Sequence, residues 1–121
     1  METVSFDEFK KLEIKIGKIL SAEKVEDSNK LLKLQVDFGS TSQVLPDGKI
    51  SEVKEQRQIL AGIAKFYAPE SLIGKLCPFV FNLEAKKMGG IESQGMILCA
   101  DDEGPVLLHP DKEIKPGSII K

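Results

Sequence analysis

Residues 76–100 read LCPFVFNLEAKKMGGIESQGMILCA. Two apolar runs, Leu76–Phe81 and Met96–Ala100, enclose a polar stretch from Asn82 to Met96. Short apolar runs bounded by turn residues predict strands, so the polar stretch is a loop carried between two strands. Its content points to a ligand. Lys86 and Lys87 suit phosphate oxygens. Ser93 and Gln94 can donate to and accept from base edges or sugars, and Gly89-Gly90 lets a backbone approach a ligand closely. Loops on a rigid strand scaffold commonly hold binding residues. The plain alternative is an ordinary polar loop turning at Gly89-Gly90.

Working outward, the rest of the chain also reads as strand. Leu12, Ile14 and Ile16 alternate with charged residues; Gly17 breaks the alternation, and Ile19 and Ala22 resume it one register off. That predicts a long first strand bent at Gly17 and shared by both halves of a small barrel. Leu32, Leu34, Val36 and Phe38 give a clean second strand. Gly39–Gln56 is polar and reads as a long loop with a hairpin tip at Asp47-Gly48. Arg57–Ile63 is the third strand. Leu76–Asn82 and Met96–Ala100 are the fourth and fifth, with Pro78 expected at an edge or bulge. Two short helical pieces punctuate them. Ser5 and Glu8 form a capping box opening a helix to about Lys11. Pro69–Ile73 is a helical turn closed by Gly74.

Three segments together carry a family resemblance: the loop 82–96, Lys30–Asp37 (KLLKLQVD) and Arg57–Lys65 (RQILAGIAK). In this order the chain, from about Phe6 to Lys121, resembles the tRNA-binding domain appended to methionyl-tRNA synthetases and shared with stand-alone tRNA-binding proteins. The resemblance implies an all-β fold, a five-stranded oligonucleotide-binding Greek-key barrel, with a helix between strands three and four as found here. It implies one tRNA-binding domain over 1–121, the barrel at about 12–100 and a strand extension for dimerisation at about 101–121. The implied partners are tRNA and an aminoacyl-tRNA synthetase catalytic chain, with no role for a cofactor. The family usually has a serine at the place of Ala61 and often a basic residue near Gly89. Both departures predict weaker binding.

On such a barrel the RNA is gripped by cations on phosphates and by amides on base edges. Lys30 and Lys33 start the second strand; Arg57 opens the third beside Gln58, with Lys65 just beyond it. Asn82 ends the fourth strand, and Lys86, Lys87, Met88, Ser93 and Gln94 fill the loop. This set is the predicted RNA-binding surface. Tyr67, the only tyrosine, reads as a partly buried barrel residue, and His109 as a surface residue of the tail.

The 121 residues fit one domain, and 41% hydrophobic content is enough for a core without disulfide staples. Net charge is −2, against a nucleic-acid ligand at first sight. Distribution matters more. Arg57–Cys99 holds five cations against three anions, net +2, and Asp101–Glu113 five anions against one lysine, net −4. The modest field predicts shape-driven rather than tight polyelectrolyte binding. Cys77 and Cys99 lie in apolar runs and predict buried thiols in a reducing compartment. With one histidine they make no metal site. No nucleophile has a histidine candidate nearby, and no phosphate loop has the required spacing, so a non-catalytic chain is expected. Met1–Lys15 lacks an apolar core and no run reaches about 18 apolar residues, which predicts a cytoplasmic chain without membrane contact.

Beyond Ala100, Val106–Leu108 and Ile119-Ile120 are apolar pieces in a polar tail. They either pack back on their own barrel or join two chains; the resemblance implies a two-fold dimer. The leading reading is a tRNA-binding module, a detached beta subunit or C-terminal domain of methionyl-tRNA synthetase that assists aminoacylation. The alternative is a dimeric export-type chaperone binding peptides on the same barrel.

Overall fold

In the computed structural model, which describes residues 1–121, a short helix α1 (Phe6–Lys10) precedes ten strands. They are β1 (Ile14–Lys24), β2 (Leu32–Val44), β3 (Ile50–Ala61), β4 (Leu76–Val80), β5 (Lys86–Met88), β6 (Ile91–Ser93), β7 (Met96–Ile97), β8 (Cys99–Asp101), β9 (Pro105–Leu107) and β10 (Ile119–Ile120). The main sheet runs β3-β2-β1-β4-β7, all antiparallel. β1 organises it. Its first half pairs with β4 from Ile14 to Lys18, and its second half with β2 from Lys18 to Lys24. The sheet therefore curls through one continuous strand. Curling brings β3 to the end of β6, where Gln94 N–H donates to Gln58 O at 2.8 Å.

Alternation fills the inside. Ile19, Leu32, Leu34, Val36, Ile59, Cys77 and Phe79 are fully buried, and Leu72 plugs the barrel from the turn that follows a 3-10 helix at Pro69–Ser71. Phe38 meets Phe79 and Phe81 edge-on at 5.5 and 5.0 Å, a favoured aromatic arrangement. Ser5 caps α1, accepting the Glu8 N–H at 3.1 Å; the Glu8 carboxylate accepts from the Ser5 hydroxyl at 3.3 Å rather than from the Ser5 N–H, so only half of the expected capping box forms.

Several expectations need correction. The register of β1 jumps between Ile19 and Ser21, not at Gly17. Gly17 stays in the ladder opposite Cys77; a Cβ there would collide with Val36 and Phe38, so close packing of β1 on β2 demands glycine. Gly39–Gln56 is no loop. β2 and β3 continue as a two-stranded ribbon from Ser40↔Lys54 to Val44↔Ile50, and only the tip at Asp47-Gly48 is as expected. The ribbon is solvated on both faces, so its strands lack the apolar/polar alternation of a half-buried sheet. Pro78 is not at an edge, because β4 lies between β1 and Leu98, whose N–H donates to Pro78 O at 3.0 Å. Proline has no N–H to return that bond. The fifth strand is accordingly two pieces, β7 and β8, interrupted at Leu98.

The tail packs on its own barrel. β9 pairs with β8, and β10 adds to β1 through Ile14↔Ile120 and Lys15↔Ile119. Ile16 N–H donates to Ser118 O at 2.9 Å and Gly117 N–H to Ile16 O at 2.7 Å. Phe6, Phe9, Leu12, Ile119 and Ile120 still leave a third or more of their surface open. They line one concavity of about 480 Å³.

Candidate nucleic-acid interface

The stretch expected as a loop is a hairpin. β5 and β6 pair Lys86↔Ser93, Lys87↔Glu92 and Met88↔Ile91 around Gly89 and Gly90, whose φ values are +59° and +80°. Two consecutive positive φ values are the pattern of a type I′ turn, which matches strand twist and strongly favours glycine. Met88 and Ile91 pack on Val25, Leu31 and Leu60. This contact ties the hairpin to the β1–β2 connection that carries Lys30.

Its base forms the seam of the barrel. Ser93 is 4% exposed. Its hydroxyl accepts the Leu60 N–H at 3.0 Å and donates to Gly95 O at 3.1 Å. Gln94 Oε1 accepts the Gln58 N–H at 3.1 Å, and Gln58 Nε2 donates to Glu92 O at 2.9 Å. Short strands leave N–H groups without ladder partners, and a buried one such as that of Leu60 must be satisfied. Ser93 and Gln94 stand in for the missing strand. Arg57 lies over the Phe81 ring, 3.5 Å from its centroid. Its guanidinium donates to Phe81 O, to Gln94 O at 3.4 Å and to Glu55, an ion pair of 3.2 Å. Asn82 Oδ1 accepts the Glu13 N–H at 2.7 Å and its Nδ2 donates to Lys11 O at 2.6 Å, clamping the approach to β1.

The expected RNA-binding set therefore divides. Ser93, Gln58, Asn82 and Arg57, and the side-chain oxygen of Gln94, hydrogen-bond within the chain, which gives these five a part in holding the barrel together. Met88 is a half-buried anchor of the hairpin. Lys33 is paired with Glu23 at 2.7 Å. Lys30, Lys65, Lys86 and Lys87 are exposed and make no ion pair. The Ala64 N–H donates to Lys30 O at 3.0 Å, which holds the segment bearing Lys65 against Lys30. These lysines gather at the end of the barrel covered by the hairpin.

Sequence reading missed a groove beside the hairpin, about 600 Å³, bounded by Leu60–Ile63, Leu83, Lys86 and Met96. Ala61 lies on it and is 4% exposed, so the place of the family's serine is in the barrel wall. Met96 and Leu83 were the available signal, but an apolar residue on a strand run reads as core. Tyr67 is partly buried, donating to Pro105 O at 2.9 Å and accepting the Leu107 N–H at 3.3 Å. His109 Nδ1–H donates to Leu76 O at 2.9 Å from an exposed position, and the same nitrogen lies 3.7 Å from Cys77 Sγ, so one thiol does have a histidine beside it, contrary to expectation. Both cysteines are free thiols; Cys77 is buried as expected, but Cys99 is only half-buried. Burial, and secondarily Cys99, pushes Cys77 up from 9.0 to about 11, and burial also raises Cys99. No group of three His, Cys, Asp or Glu gathers at a possible metal site. No helix is long and apolar enough to cross a membrane.

A family model described as "Putative tRNA binding domain" matches residues 14–119. The chain belongs to that family. This tRNA-binding-family chain is 47% identical over 120 residues to the methionine–tRNA ligase of Archaeoglobus fulgidus, covering 98% of the chain and 16% of the ligase. It is 43% identical over 122 residues to that of Thermococcus kodakarensis, covering 100% of the chain and 15% of the ligase. It thus spans about a sixth of the length of these relatives. What it shares with them is a tRNA-binding domain, not a catalytic one. Among solved structures, a MetRS-related protein from Pyrococcus horikoshii superposes with TM-score 0.80 at 36% identity, over 100% of both chains. The chaperone CsaA of Bacillus anthracis gives 0.79 at 29% identity, over 99% of this chain and 100% of that one. Both support the barrel inferred from the strand pattern.

Proposed function

We propose that the chain is a non-catalytic tRNA-binding module of methionyl-tRNA synthetase, acting as a detached beta subunit or domain in the cytoplasm. It holds tRNA by shape and backbone and raises its concentration at a synthetase catalytic chain. The observation that carries the reading is the group Lys30, Lys65, Lys86 and Lys87, unpaired on one end of a barrel whose family is that of tRNA-binding domains. In an acidic chain, four free lysines at one end favour a polyanion there. The side-chain oxygens of Ser93, Gln94 and Asn82 accept backbone N–H groups of the barrel itself, which favours backbone contacts and low sequence discrimination.

The module pairs with a second copy. Phe6, Phe9, Leu12, Ile119 and Ile120 make an exposed apolar face on α1 and β10, and a C2 dimer lets one such patch meet itself. A peptide-binding chaperone is the second reading, favoured by the apolar groove and the CsaA likeness. A gel shift with total tRNA separates them. If about four phosphates are neutralised, log affinity falls against log salt with a slope of roughly −3 to −4. Binding indifferent to salt, or binding only to apolar peptides, refutes the tRNA reading.

A further inference from the structure

The groove under the hairpin has a composition that phosphate binding alone does not explain. Its floor is Leu60, Ala61 and Ile63, each 4% exposed, and its rim carries Met96 and Leu83, 45% and 44% exposed. Its size, about 600 Å³, lies in the range of small-ligand sites. Lys86 stands on the rim. Lys30 and Lys65 lie just beyond Ile63, joined by the Ala64–Lys30 bond. Glu84 is the one carboxylate on the lining and offers an acceptor for a base amino group.

We propose that this groove seats an unstacked base of the bound RNA, with the flanking phosphates on Lys86, Lys30 and Lys65. The inference rests on the tRNA reading and deepens it. An apolar floor with Lys86 on its rim, and Lys30 and Lys65 beyond it, matches a nucleotide, which joins a flat apolar face to an anionic backbone. An apolar peptide answers the floor and leaves the lysines unmatched. A duplex answers the lysines but keeps its bases stacked away from the floor. The ligand class is therefore a loop, bulge or free end, and the module prefers unpaired over paired RNA.

The test uses the full chain and three fluorescently labelled RNAs: a single-stranded hexamer with 2-aminopurine at its centre, the same hexamer abasic at that position, and a duplex of equal length. The intact hexamer should bind about tenfold tighter than the abasic one, and 2-aminopurine emission should change on binding. The duplex should bind no better than the abasic strand. Leu83→Ser with Met96→Ser changes two exposed side chains; it should bring the intact hexamer down to the abasic level and leave the salt slope unaltered. Equal binding of intact and abasic strands overturns the proposal, as does release of the hexamer by an uncharged apolar peptide. Salt-dependent capture of total tRNA with no base effect overturns only this inference. Failure to bind any RNA overturns the tRNA reading with it.

Discussion

The two ends of β1 face different chemistry. Near Val25, where β1 ends, the β5–β6 hairpin covers the barrel and leaves four unpaired lysines in solvent. Near Ile14, where β1 begins, α1 and β10 expose phenylalanine, leucine and isoleucine. Free cations suit a polyanion. A contiguous apolar face suits a partner that also loses water. One strand thus separates the end proposed to face RNA from the end proposed to self-pair, and the two can be altered independently.

The largest effect is expected at the apolar end. Phe6 and Ile119 are 70% and 58% exposed, so Phe6→Asp with Ile119→Asp should spare the fold and place charge in the proposed dimer face. Dimerisation should weaken roughly a hundredfold or more, read by sedimentation, while tRNA contacts per protomer persist. A wild-type chain sedimenting as a monomer at high micromolar concentration would remove that half of the contrast.

At the lysine end the hairpin's two layers should respond differently. Ser93→Ala leaves the buried Leu60 N–H without an acceptor and should lower stability by about 1–3 kcal/mol; tRNA affinity measured well below the melting point should hold. Lys86→Ala with Lys87→Ala should do the reverse. Melting stays within about 0.5 kcal/mol of wild type. Affinity falls roughly tenfold at physiological salt, and the salt slope flattens by about 1.5 to 2 units. Unchanged affinity in the double variant would take the hairpin out of the interface.

A further effect, visible only at alkaline pH, is in the core that both ends share. Cys77 titrates near 11 when folded, against an ordinary 9.0. Between those values the unfolded chain has lost a proton that the folded chain retains, so stability falls as pH rises from about 9 to 11 and is complete below 9. Cys77→Ala should flatten that alkaline slope in denaturant titrations. A slope unchanged by the substitution would assign it to other groups.

Most of the barrel was legible because burial on one face imposes period two. Leu32, Leu34, Val36 and Phe38 could only be a strand with that face inward. The ribbon beyond Gly39 was not legible, since Ser40–Val44 and Ile50–Gln56 bury neither face and carry no period. Pro78 was misplaced because sequence shows the missing N–H but not which neighbour would have received it. In the candidate site, composition showed the lysines as cations but not which of them stay unpaired. It showed Ser93, Gln94 and Asn82 as polar side chains but not the backbone N–H each one meets, because a polar side chain reads identically in either setting.

By itself the sequence determined an all-β chain with the order of its principal strands, a glycine turn at Gly89-Gly90 and a cation-bearing segment behind it. These follow from local rules of alternation, φ preference and charge. Tertiary structure alone decided which polar groups remained free. Closing the barrel left N–H groups at Gln58, Leu60 and Glu13 without ladder partners, and the nearest side-chain oxygens, on Gln94, Ser93 and Asn82, satisfied them. The Leu60 N–H is buried, where a donor without an acceptor is costly, and Ser93 is held there for that reason; at the more exposed N–H groups of Gln58 and Glu13 the amides of Gln94 and Asn82 lie within reach, while the lysines stay in solvent.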